Sequence, residues 1–427
     1  MQRVGQRLMV ALVLLQPFGA YKIGGEVANL STDNMALLAS FTLTLVYVGL
    51  GGHFRRHNML PLWSVIFFLV IELIATLDAV NPSGHLRFMA PLLGSIVIFS
   101  MFVIFGRDRA IIERVARGLV IAAAVAVAGA ATQAATGISA IFPSSVDGSR
   151  FGEIPRVVGF IVTHGLYGSI VVTGVLVALV GLLPTAGPRL FSRKTAVFGL
   201  VFGFVGVVCS QSRSQILATV AGITVFAALS AIYLQGRRRW CLIALGVIAL
   251  AAVTPLVMMA VDILIAMGPA NVFRRFEAFD LAIALISQHP LSGAGHIAFI
   301  DLVGGDSVLH NTFLAVGVAT GIPGMVIITF VMGLAAVRGF RRVVARDALS
   351  PLAVGLLASH AAIFVEASFY DGLNAPIYWM VMALLMNIPF LAAERAPVAM
   401  LERRSGDVAV IARPDTLVFE PSRGDVT

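Results

Sequence analysis

The chain has 427 residues, of which 59% are hydrophobic and only 12% charged, with a formal net charge of +8. Soluble domains carry about 25% charged residues, and a mean hydropathy of +0.94 leaves more apolar surface than a soluble fold of this length keeps from water. A soluble enzyme, a disordered chain and a disulfide-built secreted module are excluded. Apolar runs of about 20 residues cross a bilayer as helices, whose backbone groups are satisfied internally. The ten-residue alternation of a membrane β-barrel is not seen. The expected fold class is all-α and polytopic.

Twelve transmembrane spans are expected, at 8–20, 35–51, 60–78, 87–105, 118–136, 157–183, 195–210, 215–235, 241–267, 312–337, 352–370 and 373–393. Arg3 and Arg7 ahead of LMVALVLL resemble the start of a signal peptide. No clean small-x-small cleavage site follows, and Gln16-Pro17 interrupts the run, so it is read as the first membrane helix. With the N-terminus inside, 23 of the 30 Lys and Arg residues fall on the inner side. Seven fall outside: Lys22, Arg87, Arg150, Arg156, Arg213, Arg274 and Arg275. That asymmetry supports the alternation and places both termini in the cytoplasm. It also accounts for the basic excess without a nucleic-acid partner. Residues 1–394 form the transmembrane domain. The polar tail 395–427, with Pro397, Pro414 and Pro421, reads as a flexible cytoplasmic end. Cys209 and Cys241 fall at opposite ends of their spans, about 30 Å apart across the bilayer, beyond the reach of a disulfide. No CxxC or His-rich pattern occurs, and no metal or cofactor is expected.

The unusual material lies outside. The loop 137–156 carries FPSSVDGSRFGEIPR, rich in turn residues. The segment 268–311 is the main outer loop. Its first half is amphipathic, with Phe276, Phe279, Ile283 and Ile286 on one face, and is expected to lie on the outer leaflet. His289-Pro290 ends that helix, and Gly293 and Gly295 follow.

Polar residues near hydrocarbon require a reason. Arg213 lies in CSQSRSQIL, where Ser210 to Gln215 are six consecutive polar residues between two apolar spans. A boundary arginine snorkelling to headgroups explains Arg87 better than it explains this run, which reads as a lined cavity. Arg274 and Arg275 open the amphipathic helix. They suit either lipid phosphates or a bound anion, because the guanidinium fork pairs bidentately with phosphate. His310 precedes a span, with Asn311 beside it to cap or orient it, and its imidazole can carry a proton at working pH. Glu366 is a carboxylate inside a span, followed by Asp371; it is either functional or an arginine's partner. Glu72 reads as structural, and His164 and His360 as packing or hydrogen-bonding groups. Arg156, Arg213, Arg275, His310 and Glu366 all fall at the expected outer boundary. Together they describe a site for an anionic lipid-linked substrate bearing phosphate or diphosphate.

Four stretches resemble the O-antigen ligase and polymerase superfamily of bacterial membrane glycosyltransferases. PRVVGF, with Gly168 later in the same span, is similar to its Arg-x-x-Gly motif. CSQSRSQILA resembles its Ser-Arg-Ser/Gly turn. RFEAFDLAIALISQHPLSGAGHIAF resembles its Arg-x-x-x-aromatic helix followed by Pro-Leu-x-Gly-x-Gly. LHNTFLAVGVATGIPG is similar to its His-Asn-x-x-Leu helix with a trailing Gly-x-x-Gly. The resemblance covers 150–330. It departs from the family in having Phe279 where tryptophan is usual and Ser214 where glycine is common.

The resemblance implies a GT-C-like fold in the bacterial inner membrane, with the active site facing the periplasm. It implies an undecaprenyl-diphosphate-linked glycan donor and a sugar hydroxyl acceptor, on a second lipid-linked repeat unit for a polymerase or on the lipid A core for a ligase. On this reading transfer is metal-independent. Arg213 and Arg275 hold the diphosphate, helped by Arg156, Arg274 and Asn311. His310 deprotonates the acceptor or hydrogen-bonds the diphosphate, and Glu366 is the alternative base. The competing class is a transporter or flippase for a lipid-linked or anionic solute. Such proteins set charges near the bilayer midplane and often show internal repeats, whereas here the charges gather at the outer rim.

Overall fold

The computed structural model describes residues 1–18, 22–23, 30–50, 56–137, 147–151, 154–161, 164–184, 189–234, 240, 244, 269–303, 309–369, 372 and 374–391. The chain divides into the units Met1–Pro389 and Phe390–Thr427. All the elements named below belong to the first, and the expected tail 395–427 lies outside the described residues.

The helices are α1 Gln2–Leu15, α2 Thr32–Gly49, α3 Arg56–Asp78, α4 Pro82–Phe105, α5 Arg109–Thr136, α6 His164–Ala178, α7 Arg193–Ser210 and α8 Arg213–Tyr233. They continue with α9 Pro269–Gln288, α10 Ala298–Leu302, α11 Thr312–Ala345, α12 Ser350–Ala367 and α13 Pro376–Asn387. Two short antiparallel hairpins interrupt the helical fold: β1 Lys22–Ile23 with β2 Leu30–Ser31, and β3 Asp147–Phe151 with β4 Ile154–Arg156. Among the described residues seven helices are long and apolar enough to cross a membrane: α3, α4, α5, Gly165–Leu182, α8, α11 and α12. Leu38–Val48 and Pro376–Phe390 are shorter apolar helices. The chain is a polytopic helical membrane protein. Apart from Ala244, the expected span 241–267 lies outside the described residues.

Helix starts follow local chemistry. The Asn81 side chain accepts from the Gly84 amide at 3.0 Å, with Pro82 in the first turn of α4. Ser192 Oγ accepts from the Thr195 amide at 3.1 Å to open α7. Helix α6 is central and packs on α5, α7, α8 and α12, while α12 also packs on α11 and α13. Buried α13, with Trp379 and its neighbours, fills the space among α4, α11 and α12. Apolar side chains such as Trp63, Phe67, Val201 and Phe204 remain exposed on α3 and α7, as a bilayer solvent permits.

One expectation changes. The sixth span, expected from 157, becomes helical only at His164, because residues 154–156 pair as a strand and Gly159 turns the chain at φ +61°. The amphipathic α9, expected to lie on the outer leaflet, also packs a face on the protein. Ala278, Phe279, Ala282, Leu285 and Ile286 pack with α10 and α11, whereas Phe276 and Ile283 stay exposed. Small alanines allow the close helix approach that the large-residue pattern did not signal.

Helix α11 has 34 residues but is broken at Gly321, at φ 70° and ψ −167°, a conformation essentially reserved for glycine. The break receives the loop after α9. Pro290 O accepts from the Ile322 amide at 2.9 Å, and Val318 O accepts from the Ala294 amide at 2.7 Å. Gly293, at φ +72°, lies so close that a Cβ would stand 2.4 Å from the Ala319 carbonyl.

Candidate active site

The Arg-x-x-Gly stretch and the Ser-Arg turn meet through the backbone. The Val157 amide donates to Cys209 O at 3.0 Å. Gly159 packs against α5, where a Cβ would stand 2.5 Å from the Ala130 nitrogen, and its amide donates to Gln133 Oε1 at 2.9 Å. Residue 156 therefore sits beside the end of α7, four positions from the start of α8; the Arg156 side chain lies outside the described set. The chain turns sharply at Gln211 (φ 47°), and Arg213, half-buried, is the first residue of α8. Within the turn Ser210 hydrogen-bonds Gln215, and Ser212 Oγ lies 3.0 Å from Ser214 Oγ. These bonds within the polar run fix the backbone that carries Arg213. The helix N-terminus beneath it favours negative charge.

Glu366 is buried at 1% exposure on α12. Ser169 Oγ, from α6, donates to its Oε2 at 2.8 Å and lies 3.2 Å from the Tyr378 hydroxyl of α13, which also hydrogen-bonds the carboxyl group. Gly168 makes this possible: a Cβ there would stand 2.9 Å from Glu366 Oε1 and 3.2 Å from Gln215 Cγ. The carboxylate and Gln215 of the Arg213 turn thus both border Gly168. Glu366 Oε1, Gln215 Nε2 and the Tyr167 hydroxyl are buried with no hydrogen-bond partner among the described residues.

His310 is exposed in the turn ahead of α11. Asn311 caps that helix, accepting from the Leu314 amide at 2.9 Å, while its Nδ2 donates to Ser368 O at 3.2 Å. Thr312 Oγ1 accepts from the Gly372 amide at 2.9 Å, and Gly372 packs against Tyr378. The His310 turn is therefore tied to the end of α12 that carries Glu366. One end of the bundle gathers Arg213, Gln215, Ser169, Glu366, Tyr378, Asn311 and His310. Arg274 and Arg275 lie in the first turns of α9, with their side chains outside the described set, as is Asp371.

Sequence reasoning did not join one group. Glu72 of α3, His85 of α4 and His296 after α9 place their ligand-type atoms within 4.8 Å of one another. Glu72 and His85 are fully buried, and the His296 side chain is 7% exposed. The signal was a buried carboxylate in a span; its partners are 13 and 224 positions away.

A family model described as O-antigen ligase (Wzy_C) matches residues 198–329. No curated protein matches the chain. The matched stretch contains Arg213, Arg274, Arg275, His310, Asn311 and the broken half of α11, and excludes Arg156 and Glu366. Its content fits a glycan-transferring membrane enzyme of ligase or polymerase type, and the match supports membership of the O-antigen ligase family.

Proposed function

We propose that the protein transfers a glycan from undecaprenyl diphosphate to a sugar hydroxyl at the periplasmic face of the bacterial inner membrane. The observation that carries this reading is the convergence at one end of the bundle. Arg213 starts a helix whose Gln215 borders Gly168 alongside Glu366; Ser169 and Tyr378 anchor that carboxyl group, and Asn311 ties the His310 turn to the end of its helix. Most of this lies in or beside the matched family region.

In the proposed reaction the acceptor oxygen attacks the anomeric carbon and the bond from that carbon to the diphosphate oxygen breaks. The electron pair leaves with undecaprenyl diphosphate. Arg213 and Arg275, assisted by Arg156 and Arg274, stabilise the charge developing there, the role in which preorganised donors contribute most. Diphosphate is a good leaving group without protonation, and arginine serves as its counter-charge in place of a metal. His310, the exposed titratable group of the turn, takes the acceptor proton or hydrogen-bonds the diphosphate. Glu366 is enclosed by Ser169 and Tyr378, which favours an anchoring role over that of a mobile base.

Transfer is tested with purified protein and a lipid-diphosphate glycan donor. Product formation that survives excess EDTA is expected; loss restored by Mg²⁺ contradicts the arginine-only account. Glycan profiling of a deletion strain assigns the acceptor. Loss of chains longer than one repeat marks a polymerase, and free lipid-linked chains beside bare lipid A core mark a ligase. Movement of the lipid-linked glycan across the membrane without any new glycosidic bond would support the transporter reading instead.

A further inference from the structure

The cluster Glu72, His85 and His296 has the composition of a metal site, but its hydrogen bonding argues for another role. The His296 amide donates to His85 Nδ1 at 3.1 Å. Nδ1 is thus the ring's acceptor, and the ring proton sits on Nε2, which lies 3.1 Å from Glu72 O and 3.6 Å from Glu72 Oε2. A metal would need the Nε2 lone pair, and freeing it would set an Nδ1 proton against the His296 amide. His296 Nε2 in turn reaches Glu72 Oε2 at 3.2 Å, and its ring stacks between His85 and Phe88 at centroid distances of 5.0 and 4.9 Å.

These bonds hold one loop. The Val80 amide donates to Ala294 O at 3.0 Å, Asn81 Nδ2 reaches Asp301 Oδ2 at 3.4 Å, and Gly295, at φ +94°, leaves no room for a Cβ against Ala79 at 2.8 Å. On its other side the same loop fills the Gly321 break of α11. The loop thus joins α9, which carries Arg275, to α11, whose first turn follows His310.

Stability alone is a poor reason for Glu72. It is fully buried, and its Oε1 has no hydrogen-bond partner among the described residues. A carboxylate oxygen buried without a partner is destabilising, and a buried polar cluster of this kind is weak evidence for stability. We propose that Glu72 and His296 are positioning residues, a clasp that seats the 289–297 loop between the α3–α4 turn and the α11 break and so sets α9 and the His310 turn for transfer. The clasp rests on the proposed transfer reaction for its purpose; its seating of the loop is measurable without substrate.

The test compares wild type, Glu72→Leu and Glu72→Gln in detergent. Hydrogen exchange at the amides of Ala294 and His296 reads seating directly, and thermal unfolding reads stability. Slow exchange is expected in wild type, fast exchange at these two amides in Glu72→Leu while amides of α5 and α6 keep wild-type rates, and slow exchange again in Glu72→Gln, whose amide oxygen still accepts from His296. Turnover should follow seating, with kcat falling about 10²-fold in Glu72→Leu and donor KM changing little. If Glu72→Leu does not fold, His296→Gln and His296→Leu supply the same comparison. Fast exchange in wild type, or wild-type kcat in a folded Glu72→Leu protein, overturns the clasp. Stoichiometric metal in the purified protein that is lost in His296→Leu also overturns it, in favour of a metal site. Protected amides in a wild-type protein that transfers no glycan contradict the functional reading and leave the seating intact.

Discussion

Glu366 and Gly168 form one unit. The glycine lets α6 approach until Ser169 Oγ reaches the carboxylate at 2.8 Å, and a methyl group at 168 would stand 2.9 Å from Glu366 Oε1. Two roles for Glu366 predict different kinetics. As an anchor, Glu366→Gln still accepts from Ser169 and keeps turnover within a few-fold of wild type, whereas Glu366→Ala loses the network and about 1–3 kcal/mol of stability. As a general base, Glu366→Gln loses its proton acceptor and turnover falls about 10²–10⁴-fold. Steady-state turnover of the two folded variants checks this, and the geometry predicts the anchor's pattern. His310 stands in contrast: it is exposed, one residue ahead of the Asn311 cap.

At the scale of elements, the break in α11 and the loop that fills it are the central device. Gly321→Ala places a side chain at φ 70° and ψ −167°, with its Cβ 2.6 Å from Pro290 O. Strain of about 1–3 kcal/mol is expected, with a lowered unfolding temperature and reduced transfer. Gly333→Ala, in the same helix with open space around it, should leave both near wild type. Equal behaviour of the two variants would show that the break has no structural weight. The apolar runs made most long helices legible, and the Pro-Leu-x-Gly-x-Gly and Gly-x-x-Gly stretches were visible as motifs. Their docking against each other was not legible, because it depends on backbone approach between residues 290–294 and 318–322. The Glu72 clasp was hidden for the same reason. The packing of α9 on α10 and α11 was not legible, because part of it is made by Ala278 and Ala282, which carry little hydropathy signal.

For the whole molecule, the expected alternation of spans makes sidedness a test of the site. Cysteine at exposed Ser287 of α9 should react with an impermeant thiol reagent added outside, and cysteine at exposed Ser192, the α7 cap, only after permeabilisation. Reversed labelling would put the Arg213 end of the bundle on the cytoplasmic side. The central claim is that arginines at that end hold a lipid diphosphate while its glycan is transferred. The most direct measurement is donor binding and turnover on purified Arg213→Ala, Arg213→Lys and Arg275→Ala beside wild type. The account predicts that each folded variant loses about 10²–10³-fold in turnover, and that lysine does not rescue Arg213, because a point charge lacks the bidentate fork. Near-normal turnover in both Arg213→Ala and Arg275→Ala would contradict it and return these side chains to the role of lipid-facing anchors.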